Sequence, residues 1–501
     1  MRNRPVLIAS VLVVALLALA ATTQINWLTQ VANGPVFDIR TYNVGATTTC
    51  GLQEAINAAN TAGGGTIQIP VNFSCTATAG ASTGASNPHI AIISSAPVGS
   101  TQIMLSGTGI TWLTVGSGGI VIDGVAVNGV SYANSDTGIS VVGSVSGTTG
   151  TINSGTIIRN STFQNLAIGL NLANVTAVTV QNNLMAWAQT GIQTGDQVNG
   201  DQGLGDISGN TIECYGIPSC GVGMLLEGPG GAQVHDNFIG GYTYDILLQL
   251  DMGTVNTSGT AVTRASGDSF LSAWAGGQMS IGGTLYTIST VNSATSITLS
   301  ASAGTQTGAI FYVPFSTSEF EIVHNQIDNG TATGLAAGIQ LQGPVMVAAV
   351  LIEDNLINEW GTNNNWQAIV LNNANASNLV ISNNQASIAG GTNTSCVYAV
   401  GGTKMIVSGG SCTGFVNGIV NNGSAGLSVG DLQYNSVGAP LGITNPSSWF
   451  INTIAPVSYS ALSTWTPANG SRVYCSDCNA TCTAGSSSGR SCVRENGAWT
   501  H

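Results

Sequence analysis

Charge is what this sequence has least of. Asp, Glu, Lys and Arg make up 6% of its 501 residues, and a single lysine, Lys404, is present. With a net charge of −13, the chain is a poor partner for nucleic acid, an acidic lipid surface or a bare polyanion, whose charge it has little to offset. An anionic polysaccharide would need a bridging cation such as Ca²⁺. Long apolar runs are also missing, with one exception. Residues 6–21 are apolar, follow Arg2 and Arg4, and carry an A-x-A pattern at Ala18 and Ala20. The run reads as a signal peptide over residues 1–21, too short to span a bilayer comfortably, and no membrane span is expected after cleavage. No cysteine follows it, which argues against a lipid anchor. Amphipathic helices do not alternate with strands, and the leucine framework of leucine-rich repeats is absent.

What is present is 43% hydrophobic residues and 67 glycines, a composition for many short strands and tight turns around a large core. The ten cysteines sit in close groups: Cys50 and Cys75, Cys214 and Cys220, Cys396 and Cys412, then Cys475, Cys478, Cys482 and Cys492. In an exported chain this reads as disulfides. The four tail cysteines allow three pairings, and their spacing would also suit zinc, with disulfides the better reading.

One pattern organises the middle of the chain. A Val or Ile recurs at Ile122, Ile158, Val180, Ile207, Val234, Ile322, Ile352, Ile381, Val407 and Val429, mostly 22 to 30 residues apart. Three residues after the anchor come Asn183, Asn210, Asn237, Asn325, Asn355 and Asn384. Five after it come Phe163, Met185, Ile212, Ile239, Ile327 and Ile357. Such a period means a solenoid. Each copy is one coil of a parallel β-helix, with the anchor inward and the Asn at a bend where its amide bonds backbone and the next Asn. A second strand follows in most coils, as at 137–142, 168–172, 337–342 and 367–371.

The stretch "VFDIRTYNVGATTTCGLQEAINAANTAGGGTIQIP" (36–70) resembles the head of pectate-lyase-like and phage-tailspike-like right-handed parallel β-helices. The resemblance implies an all-β solenoid over 36–445, with the helix "LQEAINAANTA" capping its open end. The helix buries Leu52, Ala55, Ile56 and Ala59 and stops at Gly63. Where many such heads carry aspartates, this chain has "GATTTCG" (45–51), and Cys50 substitutes a disulfide for what they held.

The step from Val234 to Ile322 is far longer than the others. Residues 252–314 fill it with their own alternation, "TLYTISTV" and "TSITLSAS", and read as an inserted small β-barrel or sandwich like those of phage tail and bacterial surface proteins. After Asn445 the pattern stops. Residues 446–501 form a Cys-rich tail that could pair chains, for instance in a homotrimer.

Positions one before and one after the anchor face outward and stack into a polar shelf suited to an extended sugar chain. It holds Asp206, Gln233, His235, Glu321 and Glu353. Asp206 and Glu321, two coils apart, would be roughly 9–10 Å from one another, near the upper limit for the carboxyl pair of an inverting glycosidase. Glu321, Glu353 and Asp206 are thus the candidate catalytic acids, and His235, Gln233 and His324 the candidate substrate contacts. Asp236, His324 and Asp354 form another column that either stabilises the bend or binds a metal. The polygalacturonase signatures N-T-D, D-D, G-H-G and R-I-K are absent, and a lyase base would have to be Arg159, which faces Asp123, or Lys404. No cofactor is expected, Ca²⁺ being considered only for a lyase. Two functions follow: a polysaccharide hydrolase, or a non-enzymatic glycan-binding surface rod.

Overall fold

The computed structural model describes residues 34–500 apart from turn and loop segments, the longer ones including 143–152, 196–202, 314–319, 330–335, 343–348, 373–378 and 444–449. The signal peptide and Lys404 lie outside the described residues.

The anchors form one continuous column. Ile122 pairs in parallel with Ile158, and the register runs on through Val180, Ile207, Val234, Ile322, Ile352, Ile381 and Val407 to Val429. Every one of them is buried. The residues five further on form a column in a second sheet, from Phe163 to Ile357. Strands such as Thr137–Val142, Ala336–Gln342 and Trp366–Asn372 stack in a third. Three sheets wound in this order make a right-handed parallel β-helix. The sequence pattern resolves only two strands per coil, because the strand after the bend is as short as Thr211–Glu213 and has too few residues to show alternation.

The bend is a left-handed residue followed by the Asn. Asn182, Asp236, His324, Asp354 and Asn383 all take φ between 54° and 56°, a conformation that Asn and Asp tolerate better than most residues. The next side chain is buried, and its amide does the rest. Nδ2 of Asn183 donates to Oδ1 of Asn210, and the chain of donors continues through Asn237, Asn325 and Asn355 to Asn384 at 2.9–3.0 Å. Each Nδ2 also donates to an anchor carbonyl of the preceding coil, as Asn237 does to Ile207. Each Oδ1 accepts a backbone N–H as well, as Asn325 does from Asn237. Buried polar groups at the corner are thereby satisfied from coil to coil.

The helix Leu52–Thr61 closes the N-terminal end with Leu52, Ala55, Ile56 and Ala59 buried. Its first flanking residue must be glycine. Gly51 has φ 78°, and a Cβ there would lie 2.7 Å from the backbone nitrogen of Asn43. The Cys50–Cys75 disulfide pins this entry.

The insertion is a closed antiparallel barrel of six strands between Met252 and Tyr312. It has a core of its own that includes Phe270, Trp274, Ile288 and Phe311. Its first and last strands pair, with Met252 opposite Tyr312. In the tail, the strand Phe450–Val457 still adds in parallel to the anchor sheet, so that sheet runs past Asn445, where the pattern ended. An antiparallel group, Arg472–Cys475, Arg490–Glu495 and Ala498–Thr500, follows it. Disulfides join Cys214 to Cys220, Cys396 to Cys412, Cys475 to Cys478 and Cys482 to Cys492. Cys475, Asp477 and Cys478 cluster, but the bond between the two sulfurs leaves neither as a thiolate for a metal.

Candidate functional site

The anchor sheet places the shelf residues on its outer surface. Asp206, Gln233 and Glu321 occupy one column on three successive strands. Ser208, His235, Val323, Glu353 and Ser382 occupy the column two residues along. Glu321 and Glu353 are therefore on adjacent coils but in different columns. Nε2 of His235 lies 3.1 Å from Oδ1 of Asp206, and its Nδ1 lies 2.7 Å from Oδ2 of Asp236. Gln233 donates to Glu321 at 3.2 Å, Gln181 to Asp206 at 2.6 Å and Ser382 to Glu353 at 2.7 Å. Each candidate acid thus has a side-chain partner on a neighbouring coil.

Asp236, His324 and Asp354 are the left-handed residues of the bend. His324 lies 3.5 Å from Asp354, one coil on, and stands beside the shelf rather than on it. Arg159 forms a half-exposed ion pair with Asp123 at 2.8 Å, which occupies one of the two cations a lyase could use as its base.

A second concentration of chemistry lies on the next sheet, and the sequence reading missed it. Glu213, Gly240, Asp328 and Asn358 form an outward column there. The hydroxyl of Tyr215 donates to the backbone oxygen of Asp328 at 3.1 Å. Burial raises the Tyr215 pKa, and the charges of Asp328, Asp245 and Glu213 add to that. Beneath this corner Asp245 is sealed from solvent, and neither of its oxygens makes a well-formed hydrogen bond. Its burial holds the Asp245 carboxyl well above the usual carboxylate range. The backbone of Tyr242 and the amide of Asn329 offset part of this, while Glu359 and Asp328 add to it. Burial also pushes Glu359 up to about 7, although its Oε1 accepts the N–H of Gly361.

A signal for Asp245 was there in the sequence. Five third-sheet strands carry glycine at the equivalent place, Gly138, Gly169, Gly191, Gly223 and Gly338, and Asp245 interrupts that run between the last two. Nothing in the repeat pattern marks Glu359, because its strand runs on past the point where earlier coils turn.

No family model and no curated protein matches this chain. Solved structures do resemble it. DFA-IIIase from Arthrobacter chlorophenolicus A6 in complex with GF2 shares 11% identity over 79% of this chain and 94% of that one, with a TM-score of 0.50. The shared fold is the parallel β-helix. The Streptococcus pneumoniae surface protein and adhesin PfbA gives 12% identity, 82% and 100% coverage and a TM-score of 0.44. The enzymatically active domain of bacteriophage CBA120 tailspike protein 2 gives 14%, 75% and 48%, and 0.41. At these identities the likeness is one of β-helix fold alone.

Proposed function

We propose that this protein is an exported carbohydrate-active β-helix that acts on a polysaccharide laid across the anchor-sheet shelf, with glycoside hydrolysis favoured over β-elimination. The observation that carries the reading is the column Asp206–Gln233–Glu321, with His235 against Asp206. Two coil steps separate the carboxylates by roughly 9–10 Å, which leaves room for a water and a glycosidic oxygen between them. One carboxyl protonates the leaving oxygen and the other activates the water, while Glu353 extends the acid set one coil further. His235 and Gln233 hold these carboxylates in place, and the second amide hydrogen of Gln233 is left to donate to a sugar hydroxyl. The barrel is inserted between the coil that carries His235 and the strand that carries Glu321, which supports the reading of a wall beside the shelf.

A second reading, a non-enzymatic surface rod, draws on one observation. Every shelf acid is already hydrogen-bonded to a neighbouring coil, as a stapled outer face would be. Incubation with a polysaccharide panel separates the two readings. Hydrolysis predicts new reducing ends without unsaturated product. Unsaturated product would establish elimination instead, and binding without cleavage would establish the rod.

A further inference from the structure

We propose that the outer face of the second sheet, from Trp187 to Trp360, is a binding track for an uncharged polysaccharide lying along the solenoid axis. It is a different face from the anchor-sheet shelf, and the reading stands whether or not that shelf is catalytic.

Trp187 gives the first indication. Its backbone N–H donates to Glu213, as that of Asn165 does to Ala186 and that of Gly241 to Asp328, so the three occupy one corner in different coils. All three have left-handed φ: 52°, 58° and 84° for Asn165, Trp187 and Gly241. Asn and Gly take such a seat readily, whereas a bulky side chain there is strained, and strain of this kind gathers at functional positions. The Trp is not sealed in return: it stays 40% exposed.

Trp360 is the second. It is 71% exposed and shares the outward parity of Leu356 and Asn358 on the strand Leu356–Thr362. Between the two tryptophans lies Tyr215. A Cβ on Gly240 would come within 2.2 Å of the Tyr215 hydroxyl and 2.9 Å of its ring, so the glycine is what lets the ring lie across the sheet. From the coil of Trp187 to that of Trp360 there are four steps, about 19 Å at the interstrand spacing.

The polar groups fit the same ligand. Gln326 and Asn358 donate to the two oxygens of Asp328 at 2.9 and 3.1 Å; Asp328 is itself buried and anchors these two amides, which lie nearer the surface. Glu213 stands two coils away in the same column. The strands Leu184–Ala186, Thr211–Glu213, Phe238–Gly240, Gln326–Asn329 and Leu356–Thr362 contain no Arg, Lys or His. The face therefore repels anions while offering apolar rings and hydroxyl acceptors. An uncharged sugar chain matches both, its C–H faces against the rings and its hydroxyls on the carboxylates and amides.

The test is affinity electrophoresis of the full-length protein in gels containing a neutral β-glucan, xylan, galactomannan or fructan, with polygalacturonate as the charged control. At least one neutral polymer should retard the protein, and polygalacturonate should not. Trp360→Ala and Trp187→Asn should each weaken binding tenfold or more, with the melting temperature of Trp187→Asn unchanged or raised. The proposal falls if no neutral polymer retards the protein, or if both variants bind as the parent does. It also falls if Glu321→Gln weakens binding while the tryptophan variants do not, which would put the glycan on the shelf. Dissociation of an oligomer by Trp360→Ala would overturn it too, by making the face a contact between copies.

Discussion

Asn237 and Asn325 are 88 residues apart in the chain, yet the amide of the first donates to the side-chain oxygen of the second at 3.0 Å. Both are buried, and this rung of the ladder closes directly across the barrel insertion. Leucine at either position removes donor and acceptor together and leaves an anchor carbonyl and a bend N–H of the preceding coil without partners. Asn237→Leu, or Asn355→Leu elsewhere in the ladder, should cost roughly 1–3 kcal/mol. Denaturant melts of the two variants check this, and unchanged midpoints would mean that the ladder bonds add nothing to stability.

Excising residues 252–313 and joining the ends with a short Gly linker should leave a folded solenoid. Val234 pairs directly with Ile322 across the insertion, and the barrel has a core of its own. Far-ultraviolet circular dichroism should retain the strand signal with a cooperative melt. A molten or aggregated product would show that the barrel supports the coils it interrupts.

Glu359 and Asp245 make stability depend on pH with a definite sign. The Glu359 carboxyl lies at about 7 when folded against an ordinary 4.5, and burial raises Asp245 as well. The folded state therefore binds more protons than the unfolded one through this window, so stability falls as pH rises from about 4.5 to about 7. Other carboxylates contribute too, so the informative quantity is the difference between parent and Glu359→Gln. The variant should lose a slope worth on the order of 1–3 kcal/mol across that range. Parallel stability–pH curves for the two proteins would sink the assignment.

On a confirmed substrate, Glu321→Gln should lower turnover on the order of 10²–10⁴-fold, the usual scale for general acid–base assistance. Asp206→Asn should do the same, and neither should shift the melting temperature much, because both side chains are partly exposed. Full activity in Glu321→Gln, Glu353→Gln and Asp206→Asn together would remove the shelf as the catalytic site.

The solenoid was legible because its signal repeats. The anchor at Val234 is one of ten, and an Asn at a fixed offset has a physical use only if coils stack in register. The cap was legible from Leu52, Ala55, Ile56 and Ala59 at helical spacing. The corner chemistry was not. Asp245 and Glu359 belong to different coils and to different places within a coil, so only the three-dimensional winding brings them under one corner. Trp187 looks like an ordinary residue after a short strand until its backbone is seen to share a seat with Asn165 and Gly241. The outward parity of Asp206 and Glu321 could be read from the anchors, but their partners, His235 and Gln233, are fixed only by the stagger between neighbouring strands.

The antiparallel pairing of Met252 with Tyr312 bears on how the chain reaches this state. The rungs Asn183–Asn210 and Asn210–Asn237 each close a loop of 27 residues, and the rung Asn237–Asn325 closes one of 88. If the intervening segment were a flexible coil, the longer closure would cost about 1 kcal/mol more. A barrel that folds first holds its two ends side by side and shortens the effective loop to a few residues. Nucleation of the second half of the rod then waits on the guest rather than on the host. A chain that winds coil by coil would build its early coils, pause while the barrel forms, and resume from a start point the barrel has brought back to the growing edge.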